Sequence, residues 1–244
     1  MPIKNFDLKN PDTKISVNKD LRLLGYFPDI FDQEGRHTCS AQALAALIYF
    51  HYKNQGIHEV DIPSRLFLYY NAICESGLNP RNFRDNARNY GKPVLMRHCI
   101  EATSRLGWCN EEEWQQVGEN WLEPPPRKLY QKAACHAGMR FERMNAEIEF
   151  LKESISHERP FIFGLYLYES FYSEEVTRNG IIPLPKNEKY KKGAHSMMAV
   201  GYDDRYGHFI VRNSMGRSWG NDGYGFLPYD YLENQTGDFW RITI

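Results

Sequence analysis

The spacing of apolar residues changes character near residue 160: ahead of it they recur at helical intervals, and beyond it they gather in short runs of strand length. From Ala41 to Tyr52, Ala, Leu and Ile occupy almost every side of the helical wheel. That pattern predicts a buried central helix opening at Cys39, capped by Thr38 and stopped by Gly56. A second helix is predicted from Ser64 to Glu75, started by Asp61 and Pro63, faced by Leu66, Tyr69, Tyr70 and Ile73, and ended at Gly77. A third runs from Val94 to Leu106 and closes at Gly107, and Asn145 caps a fourth with Ile148, Leu151 and Ile155 on one side. Between them, Pro2 to Pro28 reads as extended chain with turns and Asn79 to Lys92 as a polar surface loop, while Pro124-Pro125-Pro126 breaks regular structure.

After Pro160 the run Phe161 to Tyr168 has a strand signature. Ala194 to Tyr202 and His208 to Asn213 are two further strands joined by a turn over Asp203 to Gly207, and Gly223 to Leu227 and Asp238 to Ile244 add two more. Helices first and strands second point to an α+β protein. The expected organisation is one domain over residues 1–244, with a mainly helical lobe (20–144), a mainly β lobe (145–244) and a cleft between them.

Composition narrows the function. The chain has 244 residues, 42% hydrophobic and 25% charged, as in a globular enzyme. Its 16 Tyr suggest a core of rings with polar tips. A formal net charge of -1 removes any long-range attraction to nucleic acid or an anionic membrane, so neither is expected as a partner, and the chain is read as a monomer. No run is apolar enough to span a bilayer, and Met1 to Asn10 does not read as a secretory signal, so a cytoplasmic site is expected, with signal-independent delivery into a host cell as the other route. The five cysteines, Cys39, Cys74, Cys99, Cys109 and Cys135, have neither disulfide-framework nor zinc-site spacing. No metal and no cofactor is expected.

Cys39 stands apart from the other four. At the first turn of a helix a thiolate is favoured by the positive end of the backbone dipole, and an imidazolium partner favours it further. His195, at the start of a strand after Gly193-Ala194, is a candidate partner on rigid structure, and Asn213, closing the next strand, can fix the imidazole tautomer with its amide oxygen. Gln33, ahead of Cys39 across a turn containing Gly35, can aim an amide at a developing oxyanion beside the Cys39 backbone N–H. Trp219 reads as a packing residue beneath the active-site loops, and Lys186, Lys189, Lys191 and Lys192 as a solvated basic loop.

Gln33 with Cys39, Gly193-Ala194-His195, and Asn213 through Gly220 resemble the three active-site blocks of papain-like cysteine peptidases. Asp20-Leu21-Arg22, Pro63 through Tyr70, Val200 through Asp204 and Leu227 through Leu232 resemble the microbial, non-lysosomal branch of that family. The resemblance implies a papain-like two-lobe fold, with a helical lobe bearing Cys39 and an antiparallel β-barrel-like lobe bearing His195 and Asn213. It also implies polypeptide substrates and hydrolysis through a thioester. Three positions depart from the pattern. Met215 stands where the family has Trp, His37-Thr38 where it has Gly-Ser, and only Tyr90-Gly91 answers to its paired glycines. No inhibitory pro-segment is read ahead of Asp20. An amide transferase or deamidase would need the same groups, and an inactive papain-fold binding protein is the third reading, drawn from Met215 and His37.

Overall fold

Helix α1, Cys39–Asn54, runs through the core, with buried residues on every side, among them Ala41, Leu44, Leu47, Ile48 and Phe50. Each large apolar side chain removed from water there contributes about 1.5–3 kcal/mol, so this helix is held by burial rather than by propensity alone. The computed structural model describes residues 16–80, 94–115, 123–185 and 191–243. Within them, α2 (Arg65–Glu75) and α3 (Met96–Leu106) pack on α1 and on each other. Ser64 caps α2 by accepting from Phe67 N–H at 3.1 Å. Gly107 ends α3 at φ 75°, pressed so close to the 133–137 segment that a Cβ would fall 1.8 Å from the Ala133 carbonyl oxygen.

The second half is built on one antiparallel sheet. Its strands are β1 (Asn18–Asp20), β2 (Phe141–Arg143), β3 (Phe161–Tyr168), β4 (Lys191–Asp203), β5 (His208–Arg212), β6 (Tyr224–Pro228) and β7 (Thr236–Ile242). They lie in the order β2-β7-β3-β4-β5-β6, and β1 takes over one edge of β4 at Gly201 to Asp203, beyond the end of β3. Phe161 touches Phe163, Phe209 and Phe239 at ring-centroid distances of 5.9–6.0 Å, a core of rings as the composition suggests. Contacts of α1 with β3, β4 and β7 join helices and sheet, so the N-terminus of α1 abuts the strand that carries His195.

The α+β architecture is as expected, with one difference in the sheet. Among the described residues no pairing closes it into a barrel. The outer edge of β6 is covered instead by the 180–182 segment, through Ile182 N–H to Phe226 O at 3.0 Å and Phe226 N–H to Gly180 O at 2.8 Å. Several local expectations change as well. Thr38 occupies the N-cap of α1 but makes no side-chain cap bond; its buried hydroxyl accepts from Gln42 Nε2 at 2.9 Å. Asn145 does not cap the following helix, α5 (Ile148–Ser156), and donates to Glu147 Oε1 instead. Asn18–Asp20, inside the stretch read as extended chain with turns, is β1. The triple proline is followed at once by α4 (Arg127–Ala133), and α6 (Glu174–Asn179) and α7 (Tyr229–Gln235) are two further short helices. The 1–12 segment, most of the 79–92 loop with Tyr90-Gly91, and Lys186 and Lys189 lie outside the described residues.

Candidate active site

Cys39 is the first residue of α1, and 7% of its surface is exposed. Its sulfur interacts with His195 and with Ser196. Burial pushes the thiol up. The His195 hydrogen bond and charge, helped by Ser196, outweigh burial and bring it below the ordinary value of 9.0. The reciprocal balance holds at His195. Burial lowers it, while the hydrogen bond and charge of Cys39 and the hydrogen bond of Asn213 raise it above 6.5. The two shifts have one consequence: the environment favours a thiolate beside an imidazolium.

His195 sits in β4 opposite Leu165 of β3, and Asn213 follows the last residue of β5. Antiparallel pairing of β4 with β5, including Met198 opposite Arg212, brings the two side chains together. His195 Nε2 lies 2.8 Å from Asn213 Oδ1, and both residues are buried. The same oxygen accepts from Ser214 N–H at 2.8 Å, so the amide is fixed from two directions. Asn213 Nδ2 has no hydrogen-bond partner among the described residues, so the oxygen is the working end of this side chain.

Gln33 reaches the same place through the backbone. Its N–H donates to Ser214 O at 2.9 Å, Ser214 Oγ donates to Gln33 Oε1 at 2.7 Å, and Gly216 N–H donates to Phe31 O at 3.0 Å. The segment 31–33 is thereby laced to 214–216, the residues immediately after Asn213. Gly216 permits this approach at φ 76°, where a Cβ would meet Asp32 Oδ2 at 2.8 Å. The Gln33 amide nitrogen donates to Arg36 O across the turn. A primary amide carries a second N–H besides this one.

Trp219 is a packing residue, as its surroundings suggested. It is 5% exposed and stacks on Phe171 at 5.5 Å, and Phe171 in turn lies 6.3 Å from the His195 ring. Met215 packs against the main core and pairs with Asp32. His37 is exposed beside the site, its imidazole lowered by partial burial. The other buried thiol nearby, Cys99, does not share the constellation: it donates to Ser40 Oγ at 3.3 Å, and burial pushes it up to about 12. All five cysteines are free thiols, so Cys109 and Cys135 are not bridged. Among the described residues no group of His, Cys, Asp and Glu could hold a metal ion, and no helix is long and apolar enough to cross a membrane.

Ser196 and Ser214 were not singled out from sequence. Ser214 lies inside a recognisable motif, but its bond to Gln33 depends on how two remote segments align. Ser196 adjoins His195, and strand alternation argues that neighbours point to opposite faces, which hides its approach to the sulfur.

Known proteins supply the family context. Residues 110–234 match the papain family cysteine protease pattern, a stretch that includes His195 and Asn213 and stops short of Cys39 and Gln33. Two relatives are similar over more than nine-tenths of the chain. An uncharacterized peptidase C1-like protein of Acanthamoeba polyphaga mimivirus is 30% identical over 236 residues, covering 91% of this chain and 73% of the relative. The crystal structure of xylellain, a cysteine protease from Xylella fastidiosa, superposes with a TM-score of 0.83 at 30% identity, over 96% of this chain and 90% of that one. A cysteine protease of Carica candamarcensis shares the fold with a TM-score of 0.66 at 17% identity, over 94% of this chain and 99% of that one. Pattern, length and fold agree: the chain belongs to the papain family of cysteine peptidases.

Proposed function

We propose that this peptidase cleaves polypeptides through a thioester on Cys39, with His195 as proton carrier, Asn213 as the group that orients it, and Gln33 with the Cys39 N–H as the oxyanion hole. The observation that carries this reading is the His195 ring, hydrogen-bonded through Nε2 to Asn213 Oδ1 at 2.8 Å and interacting with the Cys39 sulfur. The Cys39 thiolate attacks the carbonyl carbon of the scissile bond, and negative charge moves to the carbonyl oxygen. That oxygen is held by a Gln33 amide N–H and the first backbone N–H of α1. The proton on His195 passes to the leaving nitrogen as the C–N bond breaks, which leaves the acyl group on sulfur. Neutral His195 then takes a proton from water. The hydroxide adds to the thioester carbon, the C–S bond breaks, and Cys39 leaves as thiolate beside a reprotonated ring.

The lowered thiol and raised imidazole support the resting ion pair that this sequence requires. Mass spectrometry of a mixed peptide library, incubated with the protein and with its Cys39→Ala variant, tests the reaction type. New chain ends that appear only with Cys39 present are the expected result. Unit mass gains on Gln or Asn, or amine adducts without cleavage, would replace the peptidase reaction with deamidation or acyl transfer. No product at all would leave a binding protein on a peptidase fold.

A further inference from the structure

Helix α2 begins with a charged residue that the mechanism does not use. Arg65 is its first residue, with a side chain only 15% exposed. The Glu111 carboxylate holds it at two points, accepting from Nη2 at 2.6 Å and from the Arg65 backbone N–H at 2.9 Å. Glu111 is fixed in turn, because its N–H donates to Ile62 O at 2.7 Å. So anchored, the guanidinium reaches both segments that supply the oxyanion donors. Its Nη1 donates to Gln42 Oε1 at 3.2 Å. Gln42 is buried and passes the contact on, with Nε2 donating to Thr38 Oγ1 at 2.9 Å and its N–H to Thr38 O at 3.0 Å. Thr38 is the N-cap of α1, joined directly to Cys39. The Arg65 guanidinium carbon also lies over the Phe31 ring, 4.5 Å from its centroid. Arg212, the last residue of β5, lies over the same ring at 5.2 Å, held by Tyr224 Oη and by Asp29 O. Phe31 is two residues ahead of Gln33, and its carbonyl accepts from Gly216 N–H.

We propose that Arg65 is a positioning residue for the oxyanion hole, setting the Cys39 N–H through Gln42 and Thr38 and the Gln33 segment through Phe31. This rests on the reading of those two groups as the oxyanion donors, and it adds a residue from a helix that supplies neither. The turn joining Gln33 to Cys39 is exposed at Glu34, Gly35 and His37, so a fixed spacing of the donors has to come from the interior. A planar guanidinium suits that task, because it offers donors in a rigid fork and a flat face for a ring. Lysine keeps the charge, but as a point donor it cannot serve carboxylate, amide and ring together. An oxyanion is stabilised by donors already aimed at it, and a displacement near 1 Å costs about 10²-fold in rate. Loss of the guanidinium therefore weakens transition-state stabilisation while the Cys39–His195 pair keeps its ionisation.

The test compares Arg65→Lys, Gln42→Met and Phe31→Leu with the parent. The first leaves Glu111 a cationic partner, the second spares the Arg65–Glu111 pair, and the third keeps every hydrogen bond, so the set does not depend on any one variant folding; melting curves confirm which are folded. Three quantities are measured: kcat and KM on a fluorogenic peptide amide, inhibition by a peptide aldehyde of the same sequence, and the rate of Cys39 alkylation by iodoacetamide at pH 7. The aldehyde adds to sulfur and places its oxygen where the oxyanion forms, whereas alkylation displaces iodide and forms no oxyanion. In the folded variants kcat is expected to fall about 10- to 100-fold with KM within about twofold, and the aldehyde to bind more weakly by a similar factor. Alkylation should stay within about threefold of the parent, which a general disturbance of the fold would not allow. Values of kcat within about threefold of the parent overturn the proposal, as does alkylation that slows in step with kcat. Gln33→Ala separates the two kinds of failure. If it too keeps the parent's kcat, the oxyanion hole itself is misread; if it falls about 10²- to 10³-fold beside an unchanged Arg65→Lys, the role of Arg65 alone is refuted.

Discussion

Removing the Asn213 amide tests the positioning chain where it is most constrained. Asn213 Oδ1 receives two hydrogen bonds, from His195 Nε2 and from Ser214 N–H, both at 2.8 Å in a site nearly closed to water. In Asn213→Ala the His195 ring loses the acceptor that fixes its tautomer and supports its positive charge. A hydrogen bond to a charged group is worth about 1.5–3 kcal/mol, so kcat/KM should fall roughly 10- to 150-fold. The Ser214 N–H is left without its acceptor, a loss of about 1–3 kcal/mol of folding stability. The imidazole should also titrate lower, since the Asn213 hydrogen bond is one of the groups that raise it. Asn213→Asp provides the contrast: Nδ2 has no partner among the described residues, so the exchange sacrifices no hydrogen bond, and the added negative charge should move the alkaline limb of activity upward. Steady-state kinetics on a fluorogenic peptide from pH 4 to 10, with urea unfolding of each variant, measures all of this. Asn213→Ala retaining kcat/KM within about threefold of the parent while folded would refute the orienting role.

Gln33→Ala removes one oxyanion donor and should lower kcat by about 10²- to 10³-fold with a smaller change in KM, measured on the same substrate. The pH profile of kcat/KM should be bell-shaped: Cys39 lies below the ordinary thiol value of 9.0 and His195 above the ordinary imidazole value of 6.5, so activity rises as the thiolate forms and falls as the imidazolium loses its proton. A single rising limb that follows a free thiol would contradict it. Gly107→Ala forces a Cβ against the Ala133 carbonyl and should cost more than about 3 kcal/mol, seen as a lower urea midpoint, whereas a midpoint equal to the parent's would show that the 133–137 segment yields.

The parts of the molecule legible in sequence are those where one physical cause acts locally. The Ala and Leu packed round α1, the Gly77 stop of α2, and the apolar run of β3 each carry their own signal. Helix α4 does not. It has seven residues after three prolines, and its buried Leu129 and Ala133 cluster with Phe67 and Cys109 from earlier in the chain, with Trp114 and Tyr130 packed against them. Strand β1 is similar, since Asn18–Asp20 is polar and becomes a strand because β4 offers an edge. In the site, Cys39, His195 and Asn213 are readable from motif and helix chemistry together. The lacing of Gln33 to Ser214 and the approach of Ser196 to sulfur depend on register and on the docking of α1, which local composition does not encode. The open sheet follows from the same limit, because the 180–182 segment that covers β6 carries no strand pattern of its own.

The central claim is that one of five thiols is ionised by an imidazole brought to it from more than 150 residues away in sequence. Peptide mapping after brief exposure to an equimolar epoxide thiol reagent at about pH 6 tests it most directly, because ordinary thiols are almost wholly protonated there. The account predicts an adduct on Cys39 in the parent and little or none in His195→Ala, with the exposed Cys74 and Cys135 unlabelled in both. An adduct on Cys74, Cys135 or Cys99 in preference to Cys39, or labelling of Cys39 that is the same with and without His195, would contradict it.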